Sequence, residues 1–161
     1  MQIPELDELY ELIDEAQGFL KSERLCIART PEGYSYPVLG LRFGSEDPTA
    51  PCLGIFAGVH GLERIGTQTA IAFLKSLVQN MSWDRHLRER LERTRIVAIP
   101  IVNPGGMARL TRANPRGVDL MRNSPVEAES APPPLLGGHR LSPFLPWFRG
   151  NSEHSMEPEA Q

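Results

Sequence analysis

The chain has 161 residues, of which 40% are hydrophobic and 23% charged, and its formal net charge is -3. This composition is ordinary for a globular protein of one domain, and it gives no electrostatic reason to bind nucleic acid or an anionic membrane. No apolar run reaches membrane-spanning length, and the acidic residues 1–20 lack the basic start and apolar core of a secretory signal. We therefore expect a cytoplasmic protein without nucleic-acid or membrane partners; the sequence indicates no oligomeric state.

The first third of the chain is predicted to form an amphipathic helix and a hairpin. Apolar residues recur at intervals of three and four over residues 4–21, which is typical of a helix with one buried face. Two β-like runs follow at 25–30 and 36–43. Pro31 and Gly33 between them favour a hairpin turn.

The middle of the chain alternates buried strands with helices. Residues 52–59 and 95–102 are short apolar runs typical of buried strands, and helices are predicted between them at 65–78 and 82–94. Ser82 is the expected N-cap of the second helix, whose interleaved arginines and carboxylates indicate a solvated face. A strand, two helices and a strand predict a crossover between parallel strands. The expected fold class is α/β, with a mixed, partly parallel sheet flanked by helices.

The two cysteines, Cys26 and Cys52, both lie in apolar, strand-like runs. Free cysteine behaves as a small apolar residue that is often buried, and disulfides are rare in reducing compartments. We therefore expect both side chains in the core, without a disulfide between them.

A histidine and a glutamate follow the strand at 52–59 with a spacing that suits a metal site. His60 stands at the carboxyl end of that strand, where open α/β sheets place their sites, and Glu63 begins the next helix. Imidazole nitrogen and carboxylate oxygen are both zinc ligands, and a catalytic zinc has three protein ligands and a water. The pair alone is equally compatible with a surface histidine at a helix start.

Residues 103–125 form a second informative stretch. They contain four arginines, three asparagines and three glycines without helical or strand periodicity. Ordered loops on a rigid scaffold are where functional residues concentrate, so we expect site residues here. Beyond this stretch, residues 127–138 are predicted to be a surface loop, the apolar segment 142–150 should pack on the domain, and a helix should start within 155–159.

Four short motifs stand in order between residues 60 and 123. They are His60-Gly61-Leu62-Glu63, Asn103-Pro104-Gly105-Gly106, Arg112-Ala113-Asn114 and Gly117-Val118-Asp119-Leu120-Met121-Arg122-Asn123. In this order and spacing they resemble the zinc carboxypeptidases of the M14 metallopeptidase family. The resemblance covers residues 53–123 firmly and the later residues loosely.

The resemblance implies a zinc-dependent hydrolase that removes the C-terminal residue of a peptide. His60 and Glu63 would bind Zn²⁺. Arg112 would polarise the scissile carbonyl and stabilise the developing oxyanion, a task that suits a fixed guanidinium. Arg122 would pair with the terminal carboxylate of the substrate, and Asn123 would support that pocket.

The resemblance leaves alternatives at three positions, Arg112, Asp119 and Met121. Arg109 could take the carbonyl-binding place of Arg112, although the distance to the Gly117 motif favours Arg112. Asp119 would orient a ligand or an arginine, or it could be a turn residue that bonds its own backbone. Met121 stands where the family usually has Asn, and Met cannot donate a hydrogen bond to a carboxylate. The alternative function is therefore a related zinc-dependent deacylase or amidase acting on an N-acyl amino acid or a cell-wall peptide.

The resemblance also implies a third zinc ligand, a histidine on a later strand, and a catalytic glutamate later still. His139 and His154 lie in irregular segments before the last predicted helix, and we expect both to be surface residues. We therefore expect residues 1–161 to be the N-terminal part of a single catalytic domain, truncated at its C-terminus. The non-enzymatic alternative is an inactive fragment.

Overall fold

The computed structural model describes residues 2–16, 18–126, 129–130, 142–150 and 156–161. A sheet with helices packed on it forms the centre of this part. In chain order the elements are α1 (Pro4–Glu15), β1 (Leu20–Arg29), β2 (Ser35–Gly44), β3 (Cys52–Phe56), α2 (Arg64–Trp83), α3 (Arg85–Leu91), β4 (Arg95–Ile99) and α4 (Pro104–Arg109). Two short 3-10 turns follow, at Leu120–Arg122 and Pro158–Ala160.

The described sheet is mixed, with the strand order β1-β2-β4-β3. β1 and β2 form an antiparallel hairpin, whose turn includes Gly33 with a φ of 89°. β2 pairs antiparallel with β4, and β4 pairs parallel with β3, so that Ala98 stands between Leu41 and Ile55. A parallel pair needs a crossover connection, which α2 and α3 supply. The predicted hairpin, crossover and fold class are confirmed.

The core lies between the sheet and the two longest described helices. Leu12 of α1 and Leu74 of α2 are fully buried, as are Leu41 of β2 and Ala98 of β4. Burying a leucine side chain contributes about 1.5–3 kcal/mol. This cluster therefore fixes α2, and with it the turn that precedes α2, against the sheet.

Two predicted helix boundaries are wrong. The first helix ends at Glu15 and not at residue 21, because Gly18, with a φ of 89°, turns the chain into β1. α2 continues through Ser82, and the side chain of Asp84 caps α3 instead. The buried stripe of α2 extends to Met81, so packing overrides the N-cap preference of Ser82.

The predicted burial of the cysteines is also wrong. Cys52 is exposed, because β3 is an edge strand of the described sheet, and Cys26 is half-buried. Both thiols are free. The stretch 103–125 begins with a helix that periodicity did not indicate: Asn103 caps α4, and Pro104 suits its first turn.

The later part of the chain is described in pieces. Segment 142–150 packs on the domain as predicted, since Phe148 is buried. Of the loop predicted at 127–138, residues 129–130 and no others are described, and Ser155, expected as a helix cap, lies outside the described residues. Within the described ranges, no helix combines the length and apolarity needed to cross a membrane.

Candidate active site

The turn between β3 and α2 carries the first predicted site residues. A backbone bond from Asn103 to the carbonyl of Gly58 (2.9 Å) holds this turn against the end of β4. Gly58 has a φ of 64°, and a Cβ at Gly61 would lie 2.0 Å from the Gly106 carbonyl carbon. Only glycine tolerates that backbone angle easily and that close approach. The tight packing places His60 beyond the carboxyl end of β3.

His60 and Glu63 lie as close together as their spacing predicts. Nδ1 of His60 is 3.1 Å from Oε1 of Glu63. Glu63 immediately precedes α2 and is half exposed, whereas the His60 side chain is mostly buried. Two ligand atoms of a tetrahedral zinc site stand about 3.3 Å apart at usual bond lengths. This donor pair therefore fits one edge of a zinc site.

A buried carboxylate lies on the other side of the imidazole. Asp119 is 1% exposed, and its Oδ1 is 3.3 Å from Nε2 of His60. An imidazole that donates from Nε2 to a carboxylate presents Nδ1 as its ligand atom. The same Oδ1 accepts a bond from the Met121 backbone N–H at 3.2 Å. Asp119 thus contacts the histidine and also bonds its own turn, so both alternatives that the sequence left open are present.

Arg112 connects the two carboxylates of the cluster. Its Nε donates to Oδ2 of Asp119 at 2.9 Å, and its Nη1 donates to Oε1 of Glu63 at 3.1 Å. Arg109 instead forms an ion pair with Glu32, in the turn between β1 and β2. Of the two arginines considered for the carbonyl-binding role, the structure places Arg112 beside the Glu63 carboxylate.

Asn103 is a buried scaffold residue to which the sequence analysis gave no role. Its Oδ1 accepts from the Gly106 N–H at 2.8 Å, and its Nδ2 donates to the Val59 carbonyl at 3.2 Å. Nδ2 also lies 3.5 Å from the Arg112 carbonyl. One side chain thereby links the turn that carries His60 to the loop that carries Arg112. The sequence signal was an Asn-Pro pair at a strand end, the pattern of an N-cap followed by a first helical residue.

Arg122 reaches the same buried carboxylate from the following 3-10 turn. Its Nε lies 3.7 Å from Oδ2 of Asp119, the atom that also pairs with Arg112. The central carbon of its guanidinium lies 5.7 Å from the centroid of the Trp147 ring. Trp147 was not singled out in the sequence, because no pattern connects it to residues some 25 positions earlier.

Asn123 holds two later segments of the chain. Its Nδ2 donates to the Arg149 carbonyl at 2.9 Å, and its Oδ1 accepts from the Glu157 N–H at 2.6 Å. Both groups of the amide are thereby engaged in structural bonds. Asn123 fixes the segment 142–150 beside the site, a placement consistent with a supporting role.

The charges of the cluster balance in the absence of a metal ion. Two carboxylates, Glu63 and Asp119, face two guanidinium groups, Arg112 and Arg122. A bound dication would make the cluster net positive and attractive to an anionic ligand. No group of three His, Cys, Asp or Glu side chains suited to a metal occurs in the described part of the chain. His139 and His154 lie outside the described residues.

Similarity to known proteins extends over most of the chain. The zinc carboxypeptidase family model matches residues 20–161. Human carboxypeptidase D is 31% identical over 84 residues, a match that covers 47% of this chain and 6% of that protein. Carboxypeptidase D from Anas platyrhynchos matches to the same extent.

Solved structures share the fold. A metallo-carboxypeptidase from Burkholderia cenocepacia superposes with a TM-score of 0.59 at 23% identity, covering 73% of this chain and 32% of its own. Bovine thrombin-activatable fibrinolysis inhibitor, in complex with tick carboxypeptidase inhibitor, gives a TM-score of 0.68 at 20% identity, covering 96% of this chain and 52% of its own. At these identities the likeness establishes the fold, and the chain spans about half or less of each similar protein.

Proposed function

Since the chain belongs to the zinc carboxypeptidase family, we propose that it carries the first half of a metallocarboxypeptidase site, which hydrolyses the C-terminal bond of a peptide. The observation that carries this proposal is one cluster of contacts. His60, Glu63 and Arg112 converge, with the buried carboxylate of Asp119 joining His60 to Arg112. Residues 49 to 59 positions apart in the sequence meet there.

Nδ1 of His60 and the carboxylate of Glu63 would hold the zinc ion. When bound, the ion supplies a Lewis acid and a water of lowered pKa. Asp119, with Oδ1 3.3 Å from Nε2 of His60, would accept a hydrogen bond from Nε2–H, which would leave Nδ1 available as a ligand and fix the ring orientation. We assign neither a third ligand nor a catalytic base among the described residues.

The guanidinium of Arg112 would bind the substrate carbonyl. Its Nη1 lies beside Oε1 of Glu63, so it reaches the neighbourhood of the metal ligands. Its Nε is bonded to Asp119, which is buried and so restricts the movement of the side chain. A fixed donor next to the reacting carbonyl stabilises the negative charge that develops on its oxygen.

Arg122 would pair with the free carboxylate of the substrate. A guanidinium offers two parallel donors that match a carboxylate, which gives both affinity and orientation. Arg122 and Arg112 both lie beside Oδ2 of Asp119, so one buried anion brings together the two groups that would hold one substrate.

A second candidate function is hydrolysis of the amide of an N-acyl amino acid. It is favoured by Met121, whose side chain is exposed beside Arg122 and cannot donate a hydrogen bond. A thioether there adds apolar surface next to the carboxylate-binding arginine, which suits a smaller and less polar substrate than a peptide.

The test of this proposal is zinc binding followed by substrate profiling. The chain should bind one zinc ion, with affinity lost in His60→Ala and Glu63→Gln and retained in His86→Ala, whose imidazole is exposed. Binding that survives both site substitutions contradicts the metal site. The affinities of the zinc-loaded chain for peptides with free and amidated C-termini and for an N-acyl amino acid then separate the two functions: a preference for the free peptide supports the first, and a preference for the N-acyl amino acid supports the second.

With two zinc ligands assigned, the 161-residue chain should hydrolyse these substrates at no measurable rate, because a catalytic zinc needs a third protein ligand. Robust hydrolysis that a chelator abolishes would contradict this expectation. It would bring His139 or His154 into the site.

A further inference from the structure

The guanidinium of Arg122 lies beside its charged neighbour without a hydrogen bond at Nε. This atom is buried and has no hydrogen-bond partner in the part of the chain that the structure describes. Oδ2 of Asp119 is 3.7 Å away, beyond hydrogen-bond range, and is already bonded to Arg112. The ion pair with Asp119 therefore lacks a hydrogen bond that would fix its geometry, and a further contact can set where the guanidinium stands.

The indole of Trp147 is the group in position to do so. The guanidinium carbon of Arg122 stands 5.7 Å from the ring centroid, within the range of a cation–π contact. A cation–π contact occupies none of the N–H donors of a guanidinium. The contact thus holds the charge while leaving its hydrogen-bonding edge for a ligand.

The backbone around Trp147 is fixed to both sides of Arg122. The Phe148 carbonyl accepts from the Asp119 N–H at 2.8 Å, and the Arg149 carbonyl accepts from Nδ2 of Asn123 at 2.9 Å. The side chain of Phe148 is also buried. Asp119 and Asn123 stand on either side of Arg122 in the sequence, so the segment that carries Trp147 is bonded to the same turn that carries Arg122.

Trp147 itself has a backbone angle that bulky residues rarely adopt. Its φ is 66°, in the left-handed region, where a residue with a large side chain is strained. Such strain persists where the surrounding structure determines it, often at functional sites. The residues on either side of this strained position, Phe148 and Arg149, are bonded to the domain, and the indole between them lies near Arg122.

We propose that Trp147 is a positioning residue for Arg122, holding the guanidinium away from Asp119 so that it can bind the carboxylate of the substrate. The inference rests on the proposed function, because it takes Arg122 to be the carboxylate-binding group. Without the indole, the attraction between the two charges would draw Arg122 across the 3.7 Å gap to Asp119. An arginine paired with that buried anion competes poorly for a second carboxylate.

The experiment compares one acid with its uncharged counterpart. N-acetyl-L-phenylalanine and N-acetyl-L-phenylalaninamide are titrated into metal-free protein, so that the carboxylate can bind only protein groups. The variants are Trp147→Ala, the conservative Trp147→Phe, and Phe144→Ala as a matched control, since Phe144 is an aromatic residue of the same segment and is 95% exposed. Thermal melting of each variant checks that it is folded.

Wild-type protein should prefer the acid, and Trp147→Ala should weaken acid binding roughly three- to tenfold, the effect of losing a partly buried cation–π contact. Amide binding should stay unchanged, Trp147→Phe should retain most of the preference, and Phe144→Ala should behave as wild type. A purely structural role for Trp147 would weaken both ligands equally, and that result overturns the proposal.

A second readout needs no ligand. The Arg122 side-chain protons should be shifted upfield by the indole ring current, and the shift should vanish in Trp147→Ala. No such shift in wild-type protein overturns the stacking. If wild type and Trp147→Ala prefer the acid over the amide equally, the positioning by Trp147 is contradicted and the role of Arg122 is not. If wild-type protein does not prefer the acid, both the proposed role of Arg122 and its positioning by Trp147 are contradicted.

Discussion

Replacing Asp119 by Asn tests how the histidine is made into a metal ligand. Asn keeps the size of Asp119 and retains an oxygen for the Met121 N–H, but it removes the charge that faces Nε2 of His60 and Nε of Arg112. Loss of such an orienting carboxylate typically weakens metal binding about 10- to 100-fold. That corresponds to roughly 1.4–2.7 kcal/mol of binding free energy.

The assay is competition for zinc against a chelating dye, with urea unfolding as a check of folding. Asp119→Asn should also destabilise the fold by about 1–3 kcal/mol, because it removes one partner of a buried charged hydrogen bond. Asp47→Asn is the matched control. Asp47 likewise bonds the backbone N–H two residues on, at 2.8 Å from Thr49, but it is exposed.

Zinc affinity should fall in Asp119→Asn and stay at the wild-type value in Asp47→Asn. If Asp119→Asn binds zinc as tightly as wild type, the buried carboxylate does not orient His60 for a metal. An equal loss in both variants would mean that the effect comes from turn geometry and not from the contact with the imidazole.

Three further outcomes follow from other parts of the structure. The hydrogen bond from Arg64 holds the pKa of buried Glu5 below its ordinary value, so the ionised Glu5 stabilises the fold above about pH 4.5 and loses this effect as pH falls through the folded-state pKa. Glu5→Gln should therefore unfold at a lower urea concentration than wild type near pH 7 and at the same concentration near pH 2. Burial raises the pKa of Glu159, so its ionisation opposes folding as pH rises. Glu159→Gln should unfold at the same urea concentration as wild type in acid and at a higher one at pH 7. The apolar groove between β3 and α2, of about 620 Å³, should bind a hydrophobic dye. Phe56→Ser should reduce the fluorescence of the bound dye and Phe144→Ser, outside the groove, should not, whereas a wild-type chain that excludes the dye would contradict this prediction.

The strand-to-helix signals around His60 predicted that His60 and Glu63 lie close together, but did not by themselves distinguish a metal site from a surface histidine. The apolar run of β3 and the helical pattern after it required a turn between them, and a spacing of three residues brought the imidazole and the Glu63 carboxylate to 3.1 Å. The convergence of Arg112 on that pair is a tertiary contact across 49 residues. It could be predicted only from the resemblance to a family, because no local pattern encodes it.

The remaining features depended on packing that a sequence pattern does not record. Ser82 is a good N-cap by type, yet the buried stripe of α2 continues to Met81 and carries the helix past it. Cys52 is apolar by context, yet its strand lies at an edge of the described sheet. The contact between Trp147 and Arg122 arises from an irregular segment, which has no periodicity to interpret.

The most direct test of the zinc site is a zinc titration followed by long-range ¹H–¹⁵N correlation spectra of the histidine side chains. Nδ1 of His60 should shift at one equivalent of zinc while Nε2 keeps its proton, because the Asp119 carboxylate 3.3 Å away would accept a hydrogen bond from Nε2–H. The exposed ring of His86 should not respond, and a parallel shift in His139 or His154 would identify the third ligand. Zinc that leaves the His60 signals unchanged, or that binds through Nε2, would contradict the metal site formed by His60 and Glu63.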